Sequence, residues 1–454
     1  MYLDILRPQG LLEYYATRWN ETKLGETVKT LPGGLFNAQT LLEARQAGAR
    51  YALLGVPEDI GPRANGGRAG CAAAWPAFLK YFLSQQSNCF LEGDNLLLVG
   101  SLHCEDLQEA ALNVPPGREP LEYWRQLCAV LDERLFPIVA ALVAYGFLPI
   151  VIGGGHNNAF PLIKGVAMGL SLSSLRGPLL EDHPLMQLAF GRGNSLLGEV
   201  PSSNQKPAPE VADHLAQALG KIASGEEKKS KAFTESICPE EMSLAEAVRR
   251  HLQEEGVSQE KVQALGPTDD GGQHFLPLAV VNCDPHGDFR ALEGRHSGNP
   301  FSYAKMGRYL DTYCLLGYHE NANSANMLAY MRAQGVRAFS YESIWVRREF
   351  SLEETLRFII QLLHQAQYPV GVELDADALA QMPSSARTPC GLSLEEGAYY
   401  LYSVASALPI AYAHLPEAAP SLGEDGERYV GRGLTLLVNS ILKGCQHYAE
   451  AGRV

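Results

Sequence analysis

The sequence lacks long apolar runs and has few basic residues for its many acidic ones. No stretch of about eighteen or more apolar residues occurs, and the opening MYLDILRPQG has no basic segment followed by an apolar core. We therefore expect neither a membrane span nor a secretory signal. The net charge of −14 disfavours binding to nucleic acids or to anionic membranes.

Paired cysteine motifs are also absent. Nine cysteines are scattered without a C-x-x-C pair, so the sequence supports neither a disulfide framework nor a zinc site built from thiolates. We expect most of them to be small buried residues in a reducing cytoplasm.

What the sequence does contain is a series of short, continuous apolar runs. With 454 residues and a hydrophobic content of 46%, the chain can bury a large core. Continuous apolar runs are typical of parallel strands that are buried on both faces. Eight such strands are predicted, at 51–56, 95–100, 148–153, 277–283, 313–318, 336–341, 368–374 and 408–414.

Helical segments separate many of these runs. Residues 120–146 and 352–367 carry apolar side chains at three- and four-residue spacing, as amphipathic helices do. The alternation predicts an α/β fold of three layers, with a mostly parallel sheet of about eight strands flanked by helices. Such sheets bind ligands at the carboxyl ends of their strands.

One region interrupts this alternation. Residues 171–272 are polar and poor in strand signal, with helical patches at 211–223 and 243–256. We interpret this region as an insertion in a single domain that spans 1–454 and begins with an N-terminal extension, 1–45. A separate functional domain is the alternative.

Three predicted strands end in side chains suited to binding metal. Side chains at alternate positions of an extended segment share a face, and buried carboxylates are costly unless a cation lies near them. The candidate ligands are His156 in GGGH, Asp284, His286 and Asp288 in DPHGD, and Asp375 and Asp377 in DAD. Four carboxylates and two imidazoles favour Mn²⁺ over Zn²⁺, and six ligands fit two ions bridged by carboxylates.

These motifs resemble those of the ureohydrolase (arginase-like) family, whose metal motifs are GG-x-H, D-x-H-x-D and D-x-D in this order. LLGVPEDIGPRANGGRAG (53–70) is similar to the first strand and glycine-rich turn of that family. TPCGLSLEE (388–396) is similar to the segment that follows D-x-D. LPEAAP (415–420) stands where the family places a substrate-contacting glutamate, here Glu417.

Within the family, the sequence looks most similar to formimidoylglutamases. This similarity rests on Arg290 after the second metal motif and on the segments SGNPF (297–301) and LGYHENANS (316–324). The resemblance implies an arginase-like fold and hydrolysis of N-formimino-L-glutamate to glutamate and formamide, in histidine degradation. Family members often form oligomers.

The resemblance also implies roles for individual residues. Two Mn²⁺ ions would be held by His156, Asp284, Asp288 and Asp375 on one side and by Asp284, His286, Asp375 and Asp377 on the other. Asp288 would accept a proton, His296 would donate one to the leaving group, and Glu417 would accept hydrogen bonds from the amidinium. The substrate-binding candidates are Asn299, Arg290, Arg295, Arg387 and Glu417, since arginine suits the carboxylates of formiminoglutamate.

The sequence departs from the family at four places. Gly155 stands where an aspartate is usual, Asn157 replaces a serine or threonine, Glu373 replaces a serine, and Ala380-Gln381 replaces Asp-Pro. Changes around metal ligands weaken metal binding, so we expect these departures to endanger metal occupancy.

Two other functions remain open. Glu293 and Glu373 favour an amidinohydrolase that acts on a guanidino compound and releases urea. Gly155 and Glu373 favour a non-catalytic protein that keeps the arginase fold for binding.

Overall fold

The structure is a computed structural model and describes residues 2–191 and 276–452. These residues form one ten-stranded sheet. Its strands are β1 (Leu3–Ile5), β2 (Lys29–Thr30), β3 (Tyr51–Gly55), β4 (Leu96–Leu102), β5 (Leu148–Ile152), β6 (Leu278–Cys283), β7 (Leu310–Tyr318), β8 (Arg337–Ser340), β9 (Val370–Leu374) and β10 (Ile410–Leu415).

The strands lie in the order β1-β4-β3-β5-β10-β9-β6-β7-β8, and β2 pairs with β4. All pairings are parallel except that of β1 with β4. The eight predicted strands are all present, with ends that agree within a few residues. The two additional strands, β1 and β2, are only three and two residues long, too short to give a recognisable apolar pattern.

The side chains of a central strand enter two apolar layers in turn. In β6, Leu278 and Val280 pack into the first layer, whereas Ala279 and Val281 pack into the second. Each layer is closed by helices, which explains why the strands read as continuous apolar runs.

Helices cover both faces of the sheet. The longer of the two predicted helices is present as Pro120–Ala144, with Pro137 inside it, and the other as Leu352–Ala366. The remaining described α-helices are Pro8–Leu11, Leu24–Thr27, Ala38–Gln46, Ile60–Ala64, Ala74–Leu83, Glu105–Leu112, Ala159–Leu172, Pro178–Glu181, Pro184–Ala189, Pro300–Met306, Ala325–Ala333, Leu394–Ala407 and Gly426–Glu450.

Part of the predicted insertion lies outside the described residues. The helical patches at 211–223 and 243–256 fall there, so their existence and the single-domain organisation stay predictions. Among the helices described, none has both the length and the apolarity needed to cross a membrane. The eight cysteines within 2–191 and 276–452 are free thiols.

Close packing of two helices depends on a glycine pair. Helix Ala159–Leu172 approaches helix Pro120–Ala144 so closely that a Cβ at Gly169 would lie 2.6 Å from the carbonyl oxygen of Ala140 and 2.7 Å from Cβ of Val143. One turn earlier, a Cβ at Gly165 would lie 2.6 Å from the carbonyl oxygen of Phe136. Backbone atoms cannot move aside as flexible side chains do.

We therefore expect Gly169→Ala to lower the free energy of unfolding by about 1–3 kcal/mol, the usual result of overpacking a core. Urea or thermal unfolding measures the effect. Gly10→Ala is the matched control, because no atom lies within 4 Å of a Cβ there. Equal stability of the two variants would contradict this account of the helix pair.

Candidate metal centre

Four loops meet at the carboxyl end of the sheet. They follow β5, β10, β9 and β6, which are neighbours in the sheet although they lie far apart in the chain. These loops carry GGGH, Glu417, DAD and DPHGD, respectively. Because parallel strands end at the same edge of a sheet, the three motifs and Glu417 come together there.

The Nδ1 atom of His156 lies among three carboxylates. It is 3.0 Å from Oδ2 of Asp284, 2.9 Å from Oδ2 of Asp288 and 2.8 Å from Oδ2 of Asp375. The four ligand atoms all lie within 4.8 Å of one another, and all four residues are buried. We call these residues the inner group.

A second group stands beside the first. The Nδ1 atom of His286 is 3.5 Å from Oδ1 of Asp284 and 3.9 Å from Oδ2 of Asp377. The Oδ2 atom of Asp284 thus faces the inner group, and the Oδ1 atom of Asp284 faces His286. This orientation suits a carboxylate that bridges two ions. We call Asp284, His286, Asp375 and Asp377 the outer group. The structure brings all six candidate ligands together.

Backbone hydrogen bonds hold the carboxylates in place. Oδ1 of Asp284 accepts from the N–H of His286, and Oδ1 of Asp375 accepts from the N–H of Asp377, each at 2.7 Å. Both bonds join residues two apart, as in the turns that aspartate side chains form with their own backbone. The D-x-H and D-x-D spacings therefore fix the side chains locally.

Burial raises the energy of the charges in this cluster. Burial, and then the charge of Asp284, raise the pKa of Asp288 to about 6 and that of Asp375 well above its ordinary value. Burial alone would lower the pKa of His286, but the hydrogen bond with Asp284 raises it to about 10. Buried carboxylates that repel one another are stabilised by positive charge. The donor set therefore fits a pair of divalent ions, with Mn²⁺ favoured.

The GGGH loop is held by a carboxylate from another segment. Oε1 of the buried Glu58 accepts hydrogen bonds from the N–H of Gly155 (2.6 Å) and from Nδ2 of Asn158 (2.8 Å). Its Oε2 accepts from the N–H groups of Ile60 and Gly61 at the start of a helix. A Cβ at Gly155 would lie 2.3 Å from Cδ of Pro62. Gly155 is thus required by close packing, and Glu58 supplies a carboxylate to this loop.

Glu373, in β9, lies on the far side of the His156 ring from the inner carboxylates. Its carboxylate accepts hydrogen bonds from Nε2 of His156 (3.0 Å), Nδ1 of His414 (2.9 Å) and the hydroxyl of Tyr412 (2.5 Å). Burial alone would raise the pKa of Glu373, but His414 and His156 lower it to about 2. Glu373 is therefore ionised and contacts a candidate ligand directly.

Glu417 supports the backbone of the GGGH loop. Its Oε1 accepts a hydrogen bond from the N–H of His156 at 2.7 Å, and Oε2 is 3.6 Å from Sγ of Cys71. Burial, and then the charge of Asp377, raise the pKa of Glu417 to about 8. Its φ of +64° lies in the left-handed region, where residues other than glycine are uncommon.

Comparisons with known proteins identify the fold. The sequence model of the arginase family matches residues 264–441. In solved structures, formimidoylglutamase from Bacillus subtilis aligns with a TM-score of 0.57 at 15% identity, over 95% of this chain and 94% of that chain. Formiminoglutamase from Trypanosoma cruzi, with Mn²⁺, has a TM-score of 0.53 at 16% identity, over 94% and 99%.

The chain has the arginase-like fold. This finding confirms the predicted fold class and the resemblance to the arginase family, although the sheet has ten strands where about eight were predicted. Proclavaminate amidino hydrolase from Streptomyces clavuligerus shares the fold, with a TM-score of 0.52 at 14% identity, over 96% of this chain and 99% of that chain. A search of curated proteins found no match.

The arginase-like fold places the three candidate arginines differently. Arg295 is buried: its Nε donates to Asp132 at 2.7 Å and its Nη2 to the carbonyl oxygen of Asn157 at 2.8 Å. Arg290 and Arg387 are exposed, with hydrogen bonds to Asn65 and Gln381. Arg295 therefore braces the interior, whereas Arg290 and Arg387 are accessible to a ligand.

Asn299 and His296 also make contacts within their own loop. Oδ1 of Asn299 accepts from Arg295 and from the N–H of His296, and its Nδ2 donates to two backbone carbonyls. Burial lowers the pKa of His296 to about 4, and its Nδ1 accepts from the N–H of Gly298. A histidine that is neutral at pH 7 is a poor proton donor. This environment does not favour the predicted acid role.

Four residues at the centre were not identified from the sequence: Glu58, Cys71, Tyr412 and His414. Glu58 had a usable signal, since it precedes a helix start in VPEDIGP, where a carboxylate can cap exposed N–H groups. Tyr412 and His414 alternate within an apolar strand, and only the pairing of β10 with β9 brings them to Glu373.

We expect Arg295→Leu to destabilise the protein by about 3–5 kcal/mol, because it leaves Asp132 as an uncompensated buried charge. Arg387→Leu, at an exposed position, should stay within about 0.5 kcal/mol of the parent. Chemical unfolding measures both. If Arg295→Leu were as stable as the control and only weakened substrate binding, the buried pair would not have the structural role described here.

An aspartate at position 155, where arginase-like proteins usually have one, should destabilise this protein. Gly155→Asp is expected to lower the free energy of unfolding by about 1–3 kcal/mol, because its side chain would overlap Pro62. The double variant Gly155→Asp/Glu58→Ala separates the causes: recovery of stability indicates charge repulsion from Glu58, and no recovery indicates the steric overlap. A Gly155→Asp variant as stable as the parent would contradict both.

Proposed function

We propose that this protein is a metal-dependent hydrolase that cleaves a linear C–N bond in an amidine-type substrate. The observation that carries the proposal is the position of His156 Nδ1, within 3.0 Å of carboxylate oxygens from Asp284, Asp288 and Asp375. Three segments far apart in the sequence supply these side chains, and packing alone does not require four buried acids with two imidazoles at one point.

The inner group would hold one divalent ion and the outer group the other, with Asp284 and Asp375 contributing to both. Mn²⁺ is the ion that this donor set favours. When bound, such a pair lowers the pKa of a water so that it becomes a nucleophile near neutral pH.

The residues of the chain position the substrate and the protons. Asp288 lies at the edge of the inner group, where its carboxylate can accept a proton from the nucleophile. Glu417 lies next to the inner group, where its Oε1 accepts a hydrogen bond from the N–H of His156. A cationic amidinium bound there would lower the raised pKa of Glu417 and donate hydrogen bonds to its ionised form. Hydrogen bonds from the amidinium to these carboxylate oxygens would hold its carbon near the nucleophile, in the orientation that hydrolysis needs.

N-formimino-L-glutamate is the substrate we favour, with glutamate and formamide as products. The fold similarity to formimidoylglutamases and the SGNPF segment support it. Its carboxylates require cations, and Arg290 and Arg387 are exposed and accessible for this role.

A guanidino substrate that yields urea is the second candidate. Arg295, which would have bound a substrate carboxylate, is committed to Asp132, so one of three cations is lost from the formiminoglutamate site. Glu293, which is exposed, adds negative charge instead. The fold similarity to proclavaminate amidino hydrolase supports this second candidate as well.

We expect hydrolysis to require Mn²⁺ and to depend on Asp284. Chelator-treated protein is assayed with and without Mn²⁺ on N-formimino-L-glutamate, arginine, agmatine and guanidinobutyrate, and formamide is measured against urea. Asp284→Asn should lower the rate by about 100-fold or more, because one residue serves both ion sites. Asp182→Asn, at an exposed position, is the matched control.

The products decide between the candidates. Formamide release selects the formimino substrate and urea release selects a guanidino substrate. Stoichiometric Mn²⁺ binding without hydrolysis of any substrate would contradict the enzymatic proposal and favour a non-catalytic binding protein.

A further inference from the structure

Glu373 belongs to a buried polar group beneath the candidate metal centre. It lies opposite His414 in the pairing of β9 with β10, and Tyr412 stands two residues before His414 on the same strand. Tyr412 packs in the first apolar layer, whereas Ala413 and Leu415 pack in the second. Glu373, Tyr412 and His414 therefore share one face of the sheet and lie behind the His156 ring.

The hydrogen bonds of Glu373 account for its burial. A fully buried carboxylate is costly unless it is hydrogen-bonded, and here the two histidine ring nitrogens and the tyrosine hydroxyl all point at it. Hydrogen bonds to an ionised acceptor are about twice as strong as those between neutral groups. The group is thus a rigid support with its negative charge aimed at His156.

The support keeps a proton on Nε2 of His156, because that nitrogen faces the carboxylate of Glu373 at 3.0 Å. Nδ1, which lies among Asp284, Asp288 and Asp375, would then be the nitrogen that binds an ion. A carboxylate behind a histidine both orients the ring and makes it a stronger ligand. A neutral hydroxyl in the place of Glu373 would bring no charge.

His286 has a different environment. Its side chain is 35% exposed, against 0% for His156, and its Nδ1 lies at 3.5 and 3.9 Å from the nearest carboxylates. Within the described residues, the ionic contacts of His286 are with members of its own group, Asp284 and Asp377, whereas His156 also has Glu373 behind it.

We propose that Glu373 is a positioning residue that makes the inner group the tighter of the two ion sites. The inference rests on the proposed function, since it takes the inner and outer groups as ion sites. It reverses the expectation drawn from the sequence: the glutamate at this position strengthens the metal centre. The outer ion would be held by His286, whose side chain is partly exposed and, within the described residues, has no carboxylate behind it, so this ion would exchange more readily.

Manganese titration of the full-length chain tests the proposal. Chelator-treated protein is titrated with Mn²⁺, and free ion is followed by electron paramagnetic resonance. We expect a tight and a weak class of site. Glu373→Gln keeps the shape of the side chain but removes its charge, and it should weaken the tight class by about tenfold to a hundredfold while the weak class stays unchanged.

Two single-ligand variants assign the classes. His156→Asn should abolish the tight class and His286→Asn the weak one. Glu396→Gln is the control, because this glutamate accepts a hydrogen bond from Trp345 Nε1 but contacts none of the candidate ligands. Circular dichroism establishes that each variant is folded.

A spectroscopic measurement separates positioning from a general structural role. In metal-free protein, the proton on Nε2 of His156, assigned with His156→Asn, should resonate far downfield because Nε2 is hydrogen-bonded to the carboxylate of Glu373. Glu373→Leu, which cannot accept this hydrogen bond, should move the signal upfield or broaden it by exchange with solvent.

The outcomes distinguish the two proposals. If the parent binds two ions and Glu373→Gln weakens both classes equally or neither, the positioning role is wrong and the proposed function stands. A parent that binds no Mn²⁺ would overturn the proposed function and this inference with it.

Discussion

Mutual repulsion among buried carboxylates is the constraint on which the rest of the centre depends. Asp284, Asp288, Asp375 and Asp377 lie within one small volume that excludes most water. Ionised groups in such surroundings are stable only with compensating positive charge and full hydrogen bonding. The imidazoles of His156 and His286 and the backbone N–H groups meet part of that requirement, and bound divalent cations would meet the rest. The glycine-rich loop, Glu58 and Glu417 hold this geometry.

The architecture explains why residues far apart in the sequence share this volume. Four neighbouring parallel strands end at one edge of the sheet, so each needs to contribute only a few residues beyond its last hydrogen-bonded position. The D-x-H and D-x-D segments are locally fixed by turns, and the negative charge is concentrated directly after the strand ends. Around this point, Arg295 and Asp132 connect the loop after β6 to the long helix Pro120–Ala144.

Much of this arrangement could be predicted from the sequence, because it depends on local patterns. Continuous apolar runs identified eight strands, and motif spacing identified six side chains that the fold brings together. The short strands β1 and β2 could not be found, since three or two residues carry no periodicity. The roles of Gly155 and Glu373 could not be judged either: Glu58 and the Tyr412–His414 pair contact them only through the sheet pairing, which is a non-local property.

The position of β10 has a consequence for how the molecule is made. This strand is the last one in the described chain, yet it lies between β5 and β9 in the middle of the sheet. During translation, the earlier strands emerge with a gap at the centre that local contacts cannot fill, and long-range pairing of this kind is slow to form. Glu417 and His414 leave the ribosome after every other residue of the centre, so the centre is completed only late in biosynthesis.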